Sequence, residues 1–209
     1  MKLAIYGCGG YGREILIEAR NLYSDKEFIF VESSPTKGKV CGIEVVSHAE
    51  FVKDFNGYKF IMGVSNHKVR KKISLQLVDA GLEPHNHFSS SSIVNSKENI
   101  GEGVIFNSMS MITDNVKIGK FCQFNIYSYV AHDCNIGNYV TFAPKVACNG
   151  NVIIKDNAYI GTGAVIKQGT AEKPIIIGES STVGMGAIVT KDVKDGETVV
   201  GNPAKPFKG

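Results

Sequence analysis

Residues 124–136 read FNIYSYVAHDCNI, in which the apolar residues Phe124, Val130 and Ile136 stand six positions apart. The same spacing continues in both directions, through Phe88, Val94, Ile100, Phe106, Ile112, Ile118, Phe124, Val130, Ile136, Phe142, Cys148, Ile154, Ile160 and Ile166. A helix has a period of about 3.6 residues and a strand a period of two, so neither produces this pattern. A hexapeptide repeat indicates a parallel β-helix, a triangular coil that turns a corner every six residues.

A second series of mostly small residues lies two positions before the first: Val104, Ser110, Val116, Cys122, Ser128, Cys134, Val140, Val146, Val152, Ala158 and Ala164. One large and one small inward side chain per hexapeptide suits a narrow, closely packed interior. After Ile166 the next matching residues are Ile177, Val183 and Val189, and the first step is longer than six. We therefore predict a loop around Gly169–Pro174, and such insertions tend to lie on the binding face.

The first part of the chain follows a different pattern. Strands are expected at Lys2–Tyr6, Glu27–Val31, Ile43–Val46 and Lys59–Val64, and helices at Arg13–Leu22, Ala49–Phe55 and His67–Ala80. This alternation predicts a parallel sheet. The serine-rich segment Asn86–Ser92 marks the boundary between the two parts. The expected fold class is thus α/β plus all-β, with a small Rossmann-like parallel-sheet domain at 1–87 followed by a left-handed β-helix at 88–209.

The composition is that of an ordinary soluble protein, with 43% hydrophobic and 21% charged residues in a chain of 209. The net charge of +3 is small and does not indicate a nucleic-acid partner. No apolar run approaches the ~18 residues of a membrane span, and the N-terminus does not read as a signal peptide. The five cysteines contain no CxxC pair, so we expect no metal site and a reducing, cytoplasmic location.

Residues 7–12 read GCGGYG, and Gly7, Gly9 and Gly12 satisfy the GxGxxG pattern between a predicted strand and a predicted helix. Glu32 follows near the end of the second predicted strand. Glycines let a backbone approach a phosphate, and a helix N-terminus supplies N–H donors. A full NAD site needs two βαβαβ halves, for which this domain is short, so a nucleotide attached to another group fits better than a dehydrogenase. A purely structural glycine turn is the alternative.

His132 is the histidine of the repeat, since the other four precede it or lie at the boundary. It follows the inward Val130 by two residues, so we expect it to point outward from a corner. A neutral imidazole accepts a proton near neutral pH, and an adjacent carboxylate such as Asp133 fixes its tautomer. The alternative is a polar surface residue with no catalytic role.

The sequence resembles the sugar O-/N-acyltransferases with a left-handed β-helix, which include sialic acid O-acetyltransferases and bacillosamine-type nucleotide amino-sugar N-acetyltransferases. The matching stretches are IYGCGGYGR at 5–13, GVSN at 63–66 with Arg70, residues 124–134, NGNV at 149–152 and GNPAK at 201–205. Together they span essentially the whole chain. Two positions depart from the family pattern: Tyr11 and Thr141 stand where relatives often carry histidine.

The resemblance implies that His132 is a general base and Asp133 its partner. It implies that Gly150 offers an N–H to the thioester carbonyl of acetyl-CoA, and that the same co-substrate runs past Gly161, Gly163, Gly184, Gly186 and Lys205. The nucleotide sugar would be bound by Gly7, Gly9, Gly10, Tyr11, Gly12, Glu32, Ser33, Gly63, Ser65, Asn66 and Asn125. The family is typically homotrimeric, with each active site between neighbouring prisms.

We therefore expect an acetyl-CoA-dependent N-acetyltransferase that acts on the amino group of a nucleotide-linked amino-dideoxy sugar, in the synthesis of lipopolysaccharide or another glycan. An ammonium has no lone pair, so a base that removes its proton during attack has a clear purpose. One alternative is a sugar O-acetyltransferase of the sialic-acid type that uses the same base. The other is a trimeric hexapeptide scaffold without catalytic activity.

Overall fold

The computed structural model describes residues 2–95 and 97–207, and the chain divides into two compact units at Ser90 and Ser91. The elements of unit 1 are β1 (Lys2–Tyr6), α1 (Gly10–Leu22), β2 (Glu27–Glu32), β3 (Lys39–Val40), β4 (Ile43–Ser47), α2 (His48–Asp54), β5 (Tyr58–Met62), α3 (His67–Asp79), β6 (Glu83–Pro84) and β7 (His87–Phe88). The boundary lies three residues after the one expected from the sequence.

The elements of unit 2 are short strands. They are β8 (Ile93–Val94), β9 (Ile105–Phe106), β10 (Met111–Ile112), β11 (Lys117–Ile118), β12 (Gln123–Phe124), β13 (Tyr129–Val130), β14 (Asn135–Ile136), β15 (Thr141–Phe142), β16 (Ala147–Cys148), β17 (Val152–Ile154), β18 (Tyr159–Ile160), β19 (Val165–Ile166), β20 (Ile175–Ile177), β21 (Thr182–Val183), β22 (Ile188–Val189), β23 (Thr198–Val200) and β24 (Lys205–Pro206).

The sheet of unit 1 has the order β3-β4-β2-β1-β5-β6 and is parallel except for the β3–β4 pair. Leu3, Ala4 and Ile5 of the central strand are fully buried, which explains why β1 reads as a continuous apolar run. The chain leaves β1 toward β2 on one side and reaches β5 on the other. The carboxyl ends of β1 and β5 therefore form a switch point, where α/β sheets bind ligands.

Helix α1 begins at Gly10, three residues earlier than the sequence predicts. Gly9 is its N-cap in an extended conformation, so Gly10 and Gly12 belong to the first turn of the helix. The glycine loop and the start of α1 are thus one continuous structure.

Helix α2 begins with a capping box in which Ser47 and Glu50 satisfy each other's backbone N–H.

Unit 2 is the predicted β-helix, in which three faces of parallel strands form a prism. The first face has the order β8-β10-β13-β16-β19-β22, the second β11-β14-β17-β20, and the third β9-β12-β15-β18-β21-β23 with β24 antiparallel at its end. Strands before the inserted loop pair with those eighteen residues away, as Phe124 does with Phe142. Across the loop the spacing is longer, as between Val165 and Ile188. The rings of Phe106 and Phe124 stack 4.5 Å apart, and those of Phe124 and Phe142 4.7 Å apart.

Both sixfold series face the interior from Val104 onward, and their members are nearly all fully buried. The first three positions of the large series, Phe88, Val94 and Ile100, are only half-buried. The latter two begin the prism of unit 2, whose first coil has no coil before it to pack against. The chain between β19 and β20 contains no strand, so the loop predicted around Gly169–Pro174 is confirmed.

Two edges of the prism matter for function. The histidine edge joins the first face to the second, through turns 113–116, 131–134, 149–151, the loop 167–174 and turn 190–192. The glycine edge joins the third face to the first, through turns 107–110, 125–128, 143–146, 161–164 and 184–187. One residue of each regular turn has a positive φ, as in Asp133 (+58°) and Gly163 (+69°). Asn, Asp and Gly tolerate this conformation best.

Candidate active site

His132 and Asp133 form a hydrogen-bonded pair at a turn of the histidine edge. The Nδ1 atom of His132 lies 2.7 Å from Oδ2 of Asp133, and the two side chains are 49% and 44% exposed. With Nδ1–H donated to the carboxylate, Nε2 carries a lone pair that can accept a proton. The outward orientation expected from the sequence is therefore present, and the pair can act as a base with an orienting partner.

Gly150 lies against the imidazole of His132, one coil further along the same edge. A Cβ atom at position 150 would lie 2.6 Å from Cε1 and 2.7 Å from Nε2 of the ring. Only glycine leaves room for the imidazole in this position. The neighbouring N–H groups of Asn149 and Asn151 donate to Ile166 and His132, whereas that of Gly150 has no acceptor among the described residues.

Asp133 is held by a second residue, Asn115, whose Nδ2 donates to Oδ1 of the carboxylate at 2.6 Å. The hydrogen bonds from His132 and then from Asn115 hold the pKa of Asp133 below its usual value. The carboxylate therefore stays ionised wherever the imidazole can be neutral. The sequence analysis did not identify Asn115, although it precedes Asp133 by the eighteen residues of one coil.

A cleft of about 590 Å³ lies further along the histidine edge. Its walls are the loop 167–175 and the turn 190–192, and it contains Lys167, Lys173 and Lys191. The N–H of Gly169 donates to the carbonyl of Gly150 at 3.0 Å, so the cleft begins one coil beyond Gly150. The lining also contains one carboxylate, Asp192, and the excess of positive charge suits an anionic group. The sequence predicted the loop but not these lysines.

The other residues of unit 2 that the resemblance assigned to the acyl donor or the sugar do not lie beside His132. Asn125 and the four glycines are on the glycine edge, and Lys205 is exposed on β24; the glycines are Gly161, Gly163, Gly184 and Gly186. Within one chain, these residues do not share an edge with His132. The side chain of Asn125 donates to the carbonyl of Phe142 at 2.9 Å and accepts from Asn107 at 3.3 Å.

The glycines of the edge differ in their structural reasons. A Cβ at Gly161 would lie 2.6 Å from the backbone N of Met185, and one at Gly184 would lie 2.6 Å from the side chain of Val200. Gly163 and Gly186 face open space and have φ of +69° and +67°. Close packing explains the first two and turn conformation explains the second two, so neither pair requires a ligand.

Three glycines of unit 1 pack against one another at the switch point of the sheet. A Cβ at Gly12 would lie 1.8 Å from the carbonyl oxygen of Gly7, and one at Gly7 would lie 2.9 Å from that of Gly63. Gly7 also has a φ of +99°. A Cβ at Gly9 or at Gly10, in contrast, would have no described atom within 4 Å, so both glycines face open space. Gly7, Gly12 and Gly63 thus allow close backbone packing, while Gly9 and Gly10 leave the backbone accessible.

Glu32 and Ser33 both have partners within unit 1. The carboxylate of Glu32 accepts from the N–H of Cys8 at 2.7 Å and so fixes the glycine loop. Ser33 Oγ lies 3.1 Å from the hydroxyl of Tyr6, which also contacts Nδ1 of His48 at 3.0 Å. Burial, and then Glu32, raise the pKa of the Cys8 thiol to about 11, so this cysteine is a poor nucleophile.

A second cleft, of about 320 Å³, opens at the carboxyl ends of β1 and β2. It is lined by Cys8, Gly9, Arg13, Glu32, Ser34, Thr36, Lys37, Val40 and Val45. Two cations and the open N-terminus of α1 favour an anion here, and Glu32 offers an acceptor. Sequence reasoning found the loop and Glu32 but gave no role to Arg13 or Lys37.

The segment 63–66 lies beside the glycine loop. Gly63 lies close to Gly12: a Cβ atom at position 63 would be 3.0 Å from the Cα of Gly12. Asn66 caps α3 by accepting from the N–H of Val69, and Ser65 is exposed. The guanidinium of Arg70 is fully buried and donates to the carbonyls of Val64 and Ser65. Tyr11 is half-buried in the first turn of α1.

His85 and His87 both have side-chain partners within unit 1. His85 Nε2 lies 3.2 Å from the hydroxyl of Tyr23, and His87 Nε2 lies 3.3 Å from Glu18. Burial lowers the pKa of His85 to about 4. Both partners are on or next to α1, more than sixty positions earlier in the sequence, so their proximity is a product of the fold of unit 1.

Three further features concern metal binding, membrane crossing and the cysteines. In the described ranges, no group of three or more His, Cys, Asp or Glu side chains is placed to hold a metal ion. Across residues 2–95 and 97–207, no helix has both the length and the apolar character that membrane crossing requires. All five cysteines are free thiols.

Comparison with known proteins identifies relatives of the whole chain. Residues 2–77 match the family model described as the PglD N-terminal domain. The chain is 46% identical over 210 residues to a GDP-perosamine N-acetyltransferase from Escherichia coli O157:H7, an alignment that covers 98% of this chain and 95% of the relative.

Two solved structures support the same relationship. WeeI from Acinetobacter baumannii AYE is 42% identical, with a TM-score of 0.93 and coverage of 99% of this chain and 100% of that one. PerB from Caulobacter crescentus, in complex with CoA and GDP-perosamine, is 25% identical, with a TM-score of 0.89 and coverage of 100% and 98%. These relatives favour N-acetylation over the O-acetylation and scaffold alternatives. The chain therefore belongs to the family of acetyl-CoA-dependent N-acetyltransferases of nucleotide-linked amino sugars, which join a PglD-type N-terminal domain to a left-handed β-helix.

Proposed function

We propose that this enzyme acetylates the sugar amine of a GDP-linked amino-dideoxy sugar of the perosamine type, with His132 as general base. The observation that carries the proposal is the His132–Asp133 pair seated against Gly150. It occurs in a chain with 46% identity, over nearly its whole length, to a GDP-perosamine N-acetyltransferase.

The proposed reaction is a single acyl transfer. Nε2 of His132 takes a proton from the sugar ammonium as the amine nitrogen attacks the thioester carbon of acetyl-CoA. Asp133 holds the imidazole in the required tautomer and stabilises the imidazolium that forms. The N–H of Gly150 donates to the developing oxyanion. The C–S bond then breaks, the thiolate of CoA leaves with the proton held on Nε2 of His132, the nitrogen releases its second proton to water, and an amide remains on the sugar.

The lysine-lined cleft of the histidine edge supports binding of acetyl-CoA there. Neighbouring coils are separated by about 4.8 Å, so Gly169 lies roughly 10 Å and Lys191 roughly 14 Å from His132 along the edge. An extended pantetheine arm spans such a distance. Lys167, Lys173 and Lys191 would then face the phosphates of CoA, while the acetyl group reaches His132.

Residues 1–87 would bind the nucleotide sugar, and residues 88–209 would carry out acyl transfer. The cleft with Arg13 and Lys37 supports diphosphate binding at the N-terminus of α1, since Gly9 and Gly10 leave the backbone open. Tyr11, Ser65 and the free face of Glu32 are candidates for contacts with the base, the ribose or the sugar. The closely packed Gly7, Gly12 and Gly63 would hold the loop in shape.

A homotrimer would unite residues that one chain keeps apart. His132 and Gly150 are on the histidine edge, whereas Asn125 and the four glycines are on the glycine edge. A site that contains both sets needs a neighbouring copy. Met109, Tyr127 and Met185 expose 54%, 56% and 82% of their surface along the glycine edge, which supports an interface there. We place the enzyme in the cytoplasm, where free thiols persist and acetyl-CoA is made.

The test is a substrate comparison with purified enzyme. GDP-perosamine, and UDP- and dTDP-linked 4-amino sugars, are each incubated with acetyl-CoA, and thiol release is measured alongside product mass. We expect GDP-perosamine to be acetylated with the highest kcat/KM of these sugars, and the product to contain an amide. A clear preference for UDP- or dTDP-linked sugars would overturn the choice of carrier. Product acetylated on oxygen would overturn N-acetylation.

A further inference from the structure

The carboxylate of Asp133 is bound from both sides. His132 Nδ1 lies 2.7 Å from Oδ2, and Nδ2 of Asn115 lies 2.6 Å from Oδ1. The three side chains thus form one hydrogen-bonded row across two coils of the histidine edge. Within the described chain, these two are the side-chain partners of Asp133.

The second contact matters because Asp133 is exposed. A carboxylate with 44% of its side chain in solvent can rotate and exchange its partners for water. When its second oxygen is anchored, the first is held toward Nδ1 of His132. The carboxylate then keeps its hydrogen bond to Nδ1–H of His132, and this tautomer leaves Nε2 free to accept a proton.

The backbone also suits this arrangement. Asn115 has a φ of +50° and Asp133 a φ of +58°, in the same position of consecutive turns. Asparagine tolerates this conformation, so its side chain is presented to the next coil at little conformational cost. The register of the parallel coils, Lys117 with Asn135, fixes the separation of the two turns.

We propose that Asn115 is a positioning residue of the acetyl transfer, which orients Asp133 and through it the general base His132. This inference rests on the proposed role of His132. Asn115 touches neither the acetyl group nor the sugar in this role. It acts on the rate of the chemical step rather than on binding of either substrate.

Other charged or titratable groups lie around the pair. Lys117 and Cys134 line the same recess as Asn115 and Asp133. Asp114 precedes Asn115 and accepts the backbone N–H of Asp133 through its carbonyl. None of these groups changes in the variants below, so a shifted pH profile reports the substitution at position 115.

Two variants test the inference. Asn115→Gly deletes the amide and keeps a residue that accepts the positive φ, so no backbone strain is introduced. We expect kcat to fall about tenfold, with both KM values within about twofold of wild type and an unchanged Tm. Asn115→Asp places a second carboxylate against Asp133, and the repulsion raises the pKa of one of the two carboxyls, so the hold of Asp133 on His132 is lost at a higher pH. The acidic limb of its kcat/KM profile should move to higher pH by about half a unit or more.

The control variants separate this inference from the proposed function. Ser180→Gly introduces glycine at an exposed turn position of another edge with a φ of +54°, and it should behave as wild type. Loss of activity in His132→Ala establishes the base. If that variant is inactive while both Asn115 variants match wild type in kcat and pH profile, the positioning role is wrong. If His132→Ala keeps its activity, the proposed function fails instead. A fall in Tm with no shifted acidic limb would assign Asn115 to structure alone.

Discussion

At the scale of single residues, the candidate site depends on a glycine, Gly150, which has no side chain. Gly150 leaves the space that the imidazole of His132 occupies, and it presents an N–H that no described group accepts. Glycine at this position is therefore required by contact rather than by conformation, since its φ is not positive. The same reason distinguishes it from Gly163, which has free space and a positive φ.

A substitution at this position gives the first prediction. In Gly150→Ala the new methyl group would lie within 2.6–2.7 Å of the imidazole, so the ring of His132 must move. We expect kcat to fall about 100-fold, within the range that general bases contribute, with Tm nearly unchanged because the ring is at the surface. Steady-state kinetics and thermal unfolding check this. Wild-type kcat in the variant would show that the ring does not rest on Gly150 during turnover.

The second prediction concerns the dependence of activity on pH. Hydrogen bonds from His132 and then from Asn115 hold the pKa of Asp133 below its usual value, so its carboxylate stays ionised throughout the pH range of the assay. Activity should therefore fall once as pH decreases, through loss of the free Nε2. Asp133→Asn should lower kcat and keep that single fall. A kcat/KM profile with two acidic steps in the wild type would contradict the assignment.

At the scale of elements, the glycine loop and α1 combine two kinds of glycine. Gly12 lies in the helix against the carbonyl of Gly7, whereas Gly10 in the same turn faces open space. The sequence pattern GxGxxG does not separate these roles. The contacts do, because they show that Gly12 packs against backbone whereas Gly10 faces open space.

This difference gives the third prediction. Gly12→Ala would place a methyl group 1.8 Å from an oxygen, and we expect it to lower the free energy of unfolding of unit 1 by about 2 kcal/mol or more. Gly10→Ala should keep or slightly raise stability, since alanine favours a helix. If the loop binds the diphosphate, Gly10→Ala should nevertheless weaken GDP binding. Chemical denaturation and calorimetric titration with GDP measure the two effects. Equal stability of both variants would contradict the packing argument.

At the scale of the whole molecule, the described chain keeps its candidate residues on separate edges of the prism. If the residues of both edges belong to one site, as proposed, a complete site requires more than one copy. Unit 1 contains a half-buried histidine, His85, which affects the pH range in which the protein is stable.

The fourth prediction follows from the two edges. His132→Ala removes the base from one edge, and Gly186→Trp blocks the other with a bulky side chain, so each variant alone should be inactive. In trimers formed from equal amounts of both, about one quarter of the sites combine two intact edges. Unfolding and refolding the mixture should recover about that share of wild-type activity. No recovery in mixed trimers, verified by mass, would place each site within one chain.

The fifth prediction concerns stability in acid. Burial lowers the pKa of His85 to about 4, below the value of about 6.5 in an unfolded chain. The unfolded state then binds more protons between these values, so stability is full above pH 6.5 and decreases toward pH 4. His85→Gln should flatten this part of the stability curve. Denaturation measured from pH 4 to 7 checks it, and an identical slope in both proteins would exclude His85 as the cause.

Much of the fold could be predicted from particular positions. The sixfold spacing of Phe124, Val130 and Ile136 determines the prism, because no other regular structure buries every sixth residue. The step from Ile166 to Ile177 determined the inserted loop. The start of α1 was missed by three residues, since glycines oppose helix formation locally and only packing against β1 and β5 stabilises the turn.

The sequence by itself determined the β-helix, the preceding parallel sheet, the outward position of His132 and the class of reaction through its resemblance to a family. Only the tertiary structure decided which side chains meet. Asn115 reaches Asp133 and Gly150 lies against His132 because each regular coil returns the chain to the same edge after eighteen residues. Three lysines share a cleft because the inserted loop and the next turn lie on that edge too. The period predicts that such neighbours exist. It does not determine their side-chain orientations, which depend on packing and hydrogen bonding between coils.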